Sequence, residues 1–243
     1  MKLIVLGSRA AFPSKNEACS GYLLQDDSYN LLIDCGSGVV SALQNYIELD
    51  ELDAVILSHY HADHWSDISV LQHGIMVKSI ISQKNKSLKI YGHQEDESFK
   101  KLNYKSYTIA SPYQENSTLE LGPFTINFIK TKHPTPCYAM KIKYKDKKII
   151  YTADTSYFPE LSDFALNSDL LIAECSLYPD RDGQKMGHMN SSDVGKLARE
   201  STSKTLLLCH LPNYGDNKML LDNTREYYQG KIKMASRGWE YEL

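Results

Sequence analysis

The sequence is short of several things, and each shortage narrows what it encodes. It has no apolar run near the roughly 20 residues that a membrane-spanning helix needs, and its mean hydropathy is -0.41. It has no excess of either charge: 27 Lys and Arg stand against 30 Asp and Glu, a net charge of -3. That balance excludes a strongly basic nucleic-acid coat and a disordered acidic chain. It has five cysteines, an odd number, and no Cys-x-x-Cys spacing. Cys19, Cys35, Cys137, Cys175 and Cys209 are widely spread, the pattern of free buried thiols in a reducing compartment rather than of a disulfide framework. Its N-terminal apolar run, Leu3 to Leu6 before Gly7, is brief, where a secretory signal needs about 7–15 apolar residues. The run reads as a first β-strand, and a cytoplasmic location is the expectation. No short-period repeat or low-complexity tract interrupts the 243 residues, a length that suffices for one large domain or two small ones with a packed core.

Strand patterns recur along the whole chain. Short β-branched or aromatic runs bounded by Gly, Asp, Ser or Pro lie at Gly21–Gln25, Leu31–Ile33, Ala54–Leu57, Leu88–Tyr91, Tyr107–Ala110, Phe124–Ile129, Tyr138–Tyr144, Lys148–Thr152, Leu170–Ala173 and Thr205–Cys209. Helical patterns fall at Ser37–Tyr46, Asp67–Ser82, Ser192–Glu200 and Leu220–Tyr228, with Ser191 or Ser192 as a helix start. Gln83–Ser87 and Gln114–Ser117 read as surface loops. Asp146-Lys147 reads as a hairpin turn. Lys141, Lys143 and Lys145 alternate with Ile142 and Tyr144, which predicts a lysine-faced edge strand rather than a nucleic-acid track.

What the sequence has in abundance is histidine, eight in all. Three of them stand with an aspartate in His59-Tyr60-His61-Ala62-Asp63-His64, just after the buried-looking strand Ala54–Leu57. His59 and His61 lie two apart where a strand ends, so both imidazoles can turn to one cation. Asp63 and His64 follow where the chain turns into a helix and can face a second. Imidazole and carboxylate together suit Zn²⁺, and also Mn²⁺ or Fe²⁺. Three further candidates sit at the ends of apolar strands: His133 before Pro134, Asp154 after Tyr151-Thr152-Ala153, and His210 after Leu206-Leu207-Leu208-Cys209. His73 reads as a helix residue and His93 as a loop or helix-start residue.

In this order the motifs Leu32-Ile33-Asp34-Cys35-Gly36-Ser37-Gly38, His59 to His64, His133, Asp154 and His210 resemble the metallo-β-lactamase superfamily of hydrolases. The resemblance spans nearly the whole chain. It implies an α/β fold, a four-layer αββα sandwich forming a single domain over 1–243. It implies two metals, zinc first with manganese or iron as alternatives. His59, His61 and His133 would hold one, Asp63, His64 and His210 the other, and Asp154 both. Asp34 would orient a ligand imidazole.

Two segments resemble the ribonuclease Z-like branch: Leu171-Ile172-Ala173-Glu174-Cys175 and Gly187-His188-Met189-Asn190-Ser191. By that resemblance His188 is a proton donor oriented by Glu174, and Asp63 joins them among the catalytic candidates. His133 and Asp154 are only 21 positions apart, which leaves no room for that branch's tRNA-binding arm and argues against tRNA 3′-processing. The expected activity is a binuclear metal-dependent phosphodiesterase using a metal-bridging hydroxide on a small-molecule or nucleotide-like substrate, since a poor alkoxide leaving group needs a dedicated acid. The alternatives are a lactone or thioester hydrolase on the same metals and a di-iron redox protein. The resemblance also implies a homodimer, while the lack of a long apolar run argues against a membrane span.

Overall fold

The computed structural model describes residues 1–83 and 86–243. The loop expected over Gln83–Ser87 therefore falls partly outside the described residues. The chain divides into two compact units. Unit 1 is Met1–Gln114, Leu121–Pro123 and Ser236–Glu242, and unit 2 is Glu115–Glu120, Phe124–Ala235 and Leu243.

Unit 1 carries β1 (Lys2–Gly7), β2 (Gly21–Asp26), β3 (Tyr29–Ile33), β4 (Ala54–Ile56), β5 (Leu88–His93), β6 (Thr108–Tyr113) and the C-terminal β14 (Glu240–Glu242). Its sheet runs β14-β1-β2-β3-β4-β5-β6. The first three pairings are antiparallel and those from β3 to β6 are parallel. Leu31–Ile33 of β3 and all of β4 are short apolar runs buried on both faces, as covered parallel strands require. The helices are α1 (Val39–Leu43), α2 (Ala62–Trp65) and α3 (Ile68–Ser82). Ile68, Leu71 and Ile75 of α3 pack into a core with Ile4, Leu6, Leu23, Leu32, Val55 and Ile90. His73 lies exposed on α3.

Unit 2 holds β7 (Thr118–Leu121, whose last residue belongs to unit 1), β8 (Phe124–Lys130), β9 (Tyr138–Tyr144), β10 (Lys147–Tyr151), β11 (Leu170–Glu174), β12 (Thr205–Cys209) and β13 (Lys231–Met234). Its sheet runs β13-β12-β11-β10-β9-β8-β7. Strands β10 to β13 are parallel, and β8, β9 and β10 are antiparallel. The helices are α4 (Pro159–Phe164), α5 (Gly183–Met186), α6 (Ser191–Glu200) and α7 (Asn217–Tyr227). Leu161, Val194, Leu197 and Leu220 close a core over Ile150, Leu171, Leu206 and Leu208.

Two expectations are corrected. Strand β9 is not an edge: β8 and β10 flank it. Its lysines line one face of an interior strand, and the Lys141 ammonium sits 4.3 Å from the Phe164 ring centroid, so the stem covers apolar surface while the charge meets a π-face. His93 ends strand β5 and is buried, not a loop or helix-start residue. Helix α6 starts at Ser191, as expected, and Asn190 caps it, its side chain accepting from the Asp193 N–H at 2.9 Å. All five cysteines are free and buried. Among the described residues, no helix is long and apolar enough to cross a membrane.

Candidate metal centre

The chemistry-bearing residues of unit 1 follow the C-terminal ends of β3 and β4. Asp34 stands just past β3 in the left-handed region, φ 55. Its turn lies against the start of α2: the Cys35 N–H donates to the His64 carbonyl at 2.7 Å and the Gly36 N–H to the Ser20 carbonyl at 3.0 Å. Gly36 is required there. A Cβ on it would lie 2.0 Å from the Asp63 carbonyl oxygen, well inside van der Waals contact.

This close approach buries Asp34 beneath the histidine segment. Its Oδ1 accepts the Ser58 N–H at 2.7 Å. Its Oδ2 accepts the Ser58 hydroxyl at 2.8 Å and faces His64 Nδ1 at 2.8 Å. Ser58 Oγ is in turn 3.0 Å from His59 Nδ1. His59, His61 and His64 cluster, with ring centroids 4.8 Å apart for His59–His61 and 4.2 Å for His59–His64. His59 and His64 are fully buried, whereas His61 is half-buried. Asp63 Oδ2 accepts the Ala11 N–H at 2.8 Å and lies 3.7 Å from His64 Nε2.

In unit 2 the candidates again sit past strand ends: His133 after β8, Asp154 after β10, Glu174 at the end of β11, and His210 directly after β12 with φ 52. Asp154, His188 and His210 each present one ligand atom, all within 4.8 Å of one another, in a group able to hold a metal ion. His210 Nε2 is 3.5 Å from Asp154 Oδ2, and the rings of His188 and His210 stack at 5.6 Å. His133 lies 5.1 Å from His188 ring to ring and has its Nδ1 2.9 Å from the Gly187 carbonyl.

Glu174, 1% exposed, accepts the Thr155 N–H at 2.7 Å and faces His188 Nδ1 at 2.9 Å, both through Oε1. Its Oε2 accepts the Ser176 hydroxyl at 2.5 Å, and Ser176 Oγ lies 2.7 Å from His210 Nδ1. The two serines carry no motif of their own in the sequence. Position is the one signal that could have found them: Ser58 precedes a ligand histidine, and Ser176 follows Glu174 by two.

The donor set fits divalent cations of the zinc type, because imidazoles whose Nδ1 is tied to a carbonyl, carboxylate or hydroxyl offer Nε2 to a metal. The cysteines do not compete as nucleophiles. Burial, reinforced by Asp63, pushes the Cys19 thiol up to about 12. Burial pushes the Cys35 and Cys175 thiols well up too. A thiol so raised carries almost no thiolate at neutral pH.

Comparison with known proteins agrees. "Probable metallo-hydrolase YhfI" of Bacillus subtilis (strain 168) is 45% identical over 243 residues, covering 100% of both chains. The crystal structure of the metallo-β-lactamase fold protein YhfI from Bacillus subtilis matches with TM-score 0.97, over 99% of this chain and 98% of that one. Two remoter structures share the fold: human tRNase Z, short form, at TM-score 0.79 and 18% identity (100% and 99% covered), and a diphosphatase from the PhnP family at 0.79 and 16% (100% and 97%). The chain is thus a metallo-hydrolase with the metallo-β-lactamase fold, in the α/β class. A family model matches residues 1–239, and the chain belongs to that family, described as Anti-Pycsar protein Apyc1.

Proposed function

We propose that the chain is a binuclear metal-dependent phosphodiesterase acting on a small-molecule or nucleotide-like substrate. One observation carries this reading: His188 is held by a buried glutamate, Nδ1 to Oε1 at 2.9 Å, beside the ligand candidates Asp154 and His210. That arrangement suits a general acid, whose worth is roughly 10²–10⁴ in rate. A phosphodiester needs such an acid because its leaving alkoxide is poor. A lactone or activated thioester needs it less.

In this reading His59, His61 and His133 hold one cation, Asp63, His64 and His210 the other, and Asp154 is shared. When bound, the cations supply Lewis acidity, acidifying a water and stabilising charge that develops on the substrate. The chain's own residues do the rest. Glu174 accepts the Nδ1–H of His188 and keeps its ring in place, while the opposite nitrogen delivers a proton to the leaving oxygen. Asp34 keeps His64 oriented through Nδ1.

The test is a substrate panel of bis-p-nitrophenyl phosphate, a lactone and a thioester, with metal content measured on the same samples. Wild type is expected to hold two metals per chain and to prefer the phosphodiester. The His188→Ala variant should retain its metals and lose roughly 10²–10⁴ in phosphodiesterase rate. Undiminished activity would remove His188 as the acid, and loss of a metal would make it a ligand instead. A preference for the lactone or thioester would favour the acyl-hydrolase reading.

A further inference from the structure

Each unit contains one buried carboxylate that serves two imidazoles, one directly and one through a serine hydroxyl. In unit 1 Asp34 faces His64 Nδ1 at 2.8 Å and reaches His59 Nδ1 through Ser58. In unit 2 Glu174 faces His188 Nδ1 at 2.9 Å and reaches His210 Nδ1 through Ser176. The spacings are unrelated. The serine is 24 residues from its carboxylate in one case and two in the other. The connection from carboxylate to serine to imidazole is the same, although Asp34 uses Oδ2 for both partners and Glu174 one oxygen for each.

We propose that Ser58 and Ser176 are positioning residues that set the tautomer of His59 and His210. The direction of each relay follows from donor counting. An ionised carboxylate only accepts, and a serine hydroxyl has one proton. That proton goes to Asp34 Oδ2 in one relay and to Glu174 Oε2 in the other. The serine oxygen then accepts from the ring, so His59 and His210 each carry hydrogen on Nδ1. Their lone pairs are on Nε2, the nitrogen a cation takes.

Burial makes the arrangement strict. Asp34, Ser58 and His59 are each 0% exposed, and Glu174, Ser176 and His210 lie between 1% and 8%. Backbone N–H groups of Ser58 and Thr155 anchor the two carboxylates. Removing a serine oxygen leaves a buried ring N–H unsatisfied. With no acceptor left at Nδ1, nothing holds the proton there, and its shift toward Nε2 takes the lone pair away from the metal.

The proposal rests on the metal-site reading above, but its first measurement does not. Long-range ¹H–¹⁵N spectra of histidine-labelled, metal-free protein at pH 8 report the tautomer of each ring. Wild type should show Nδ1–H for both His59 and His210. Ser58→Ala should shift His59 alone toward Nε2–H, and Ser176→Ala should shift His210 alone. Ser→Thr at either site keeps a hydroxyl and should restore Nδ1–H. Zinc competition against a chelator should show each Ala variant weakened by about 10–100-fold, with recovery in the Thr variant. Nε2–H tautomers in wild type, or Ala variants with unchanged tautomers and unchanged zinc affinity, would overturn the relay. If an Ala variant does not fold, the wild-type and Thr spectra decide. Wild type that binds no zinc refutes the metal-site reading, while the tautomers still decide the relay.

Discussion

Replacing Glu174 by glutamine tests how much the unit 2 relay depends on charge. The carboxylate accepts three short bonds, from the Thr155 N–H at 2.7 Å, His188 Nδ1 at 2.9 Å and the Ser176 hydroxyl at 2.5 Å. Hydrogen bonds to a charged group contribute about 1.5–3 kcal/mol and neutral ones about 0.5–1.5, so each loses about 1 kcal/mol. The amide places its oxygen where two donors converge, at the Oε1 position, and its NH₂ toward Ser176. The serine must then accept from the amide and donate to His210, which drives the ring proton of His210 onto Nε2. The summed loss of about 3 kcal/mol corresponds to a fall in Tm of about 6–12 °C for a chain of this size. Glu174→Gln should therefore melt early in a circular-dichroism scan. Its kcat on bis-p-nitrophenyl phosphate should drop about 10–100-fold, as for other partners that orient metal-site residues. A Tm within about 2 °C of wild type together with an undiminished kcat would refute the role given to this carboxylate.

Two other outcomes follow from the geometry. Gly36→Ala places a Cβ 2.0 Å from the Asp63 carbonyl oxygen, backbone that cannot step aside cheaply. It should cost at least about 1–3 kcal/mol in thermal or urea unfolding, and an unchanged midpoint would contradict the close approach. The five thiols should resist alkylation in native protein at pH 8 and all react in denaturant. Their burial keeps reagent out, and for Cys19, Cys35 and Cys175 the raised thiol leaves little thiolate. Mass spectrometry showing stoichiometric labelling of the folded chain would overturn this.

Much of the fold was legible because its central strands are continuous apolar runs. Leu170–Glu174 and Thr205–Cys209 bury every residue, and such runs need no alternation to be recognised. Three of the four edge strands were not. Thr118–Leu121, Lys231–Met234 and Glu240–Glu242 are short and half polar, and they owe their conformation to a paired neighbour rather than to their own pattern. The lysines of β9 suggested an edge because a solvated face and a solvated edge leave the same alternation in sequence. In the candidate site, the histidines announce themselves by spacing. Ser58 and Ser176 do not, because serine is common and what matters here is which atom it faces across the fold.

The buried hydrogen bonds around Asp34 and Glu174 also make the histidines of each unit interdependent. Each carboxylate is fixed by a backbone N–H, that of Ser58 or of Thr155, and each faces one imidazole directly and a second through a serine. Disturbing the shared carboxylate therefore reaches two rings at once. Substitutions within one relay should not add, because residues in one hydrogen-bond network are coupled, whereas residues with no shared partner are not.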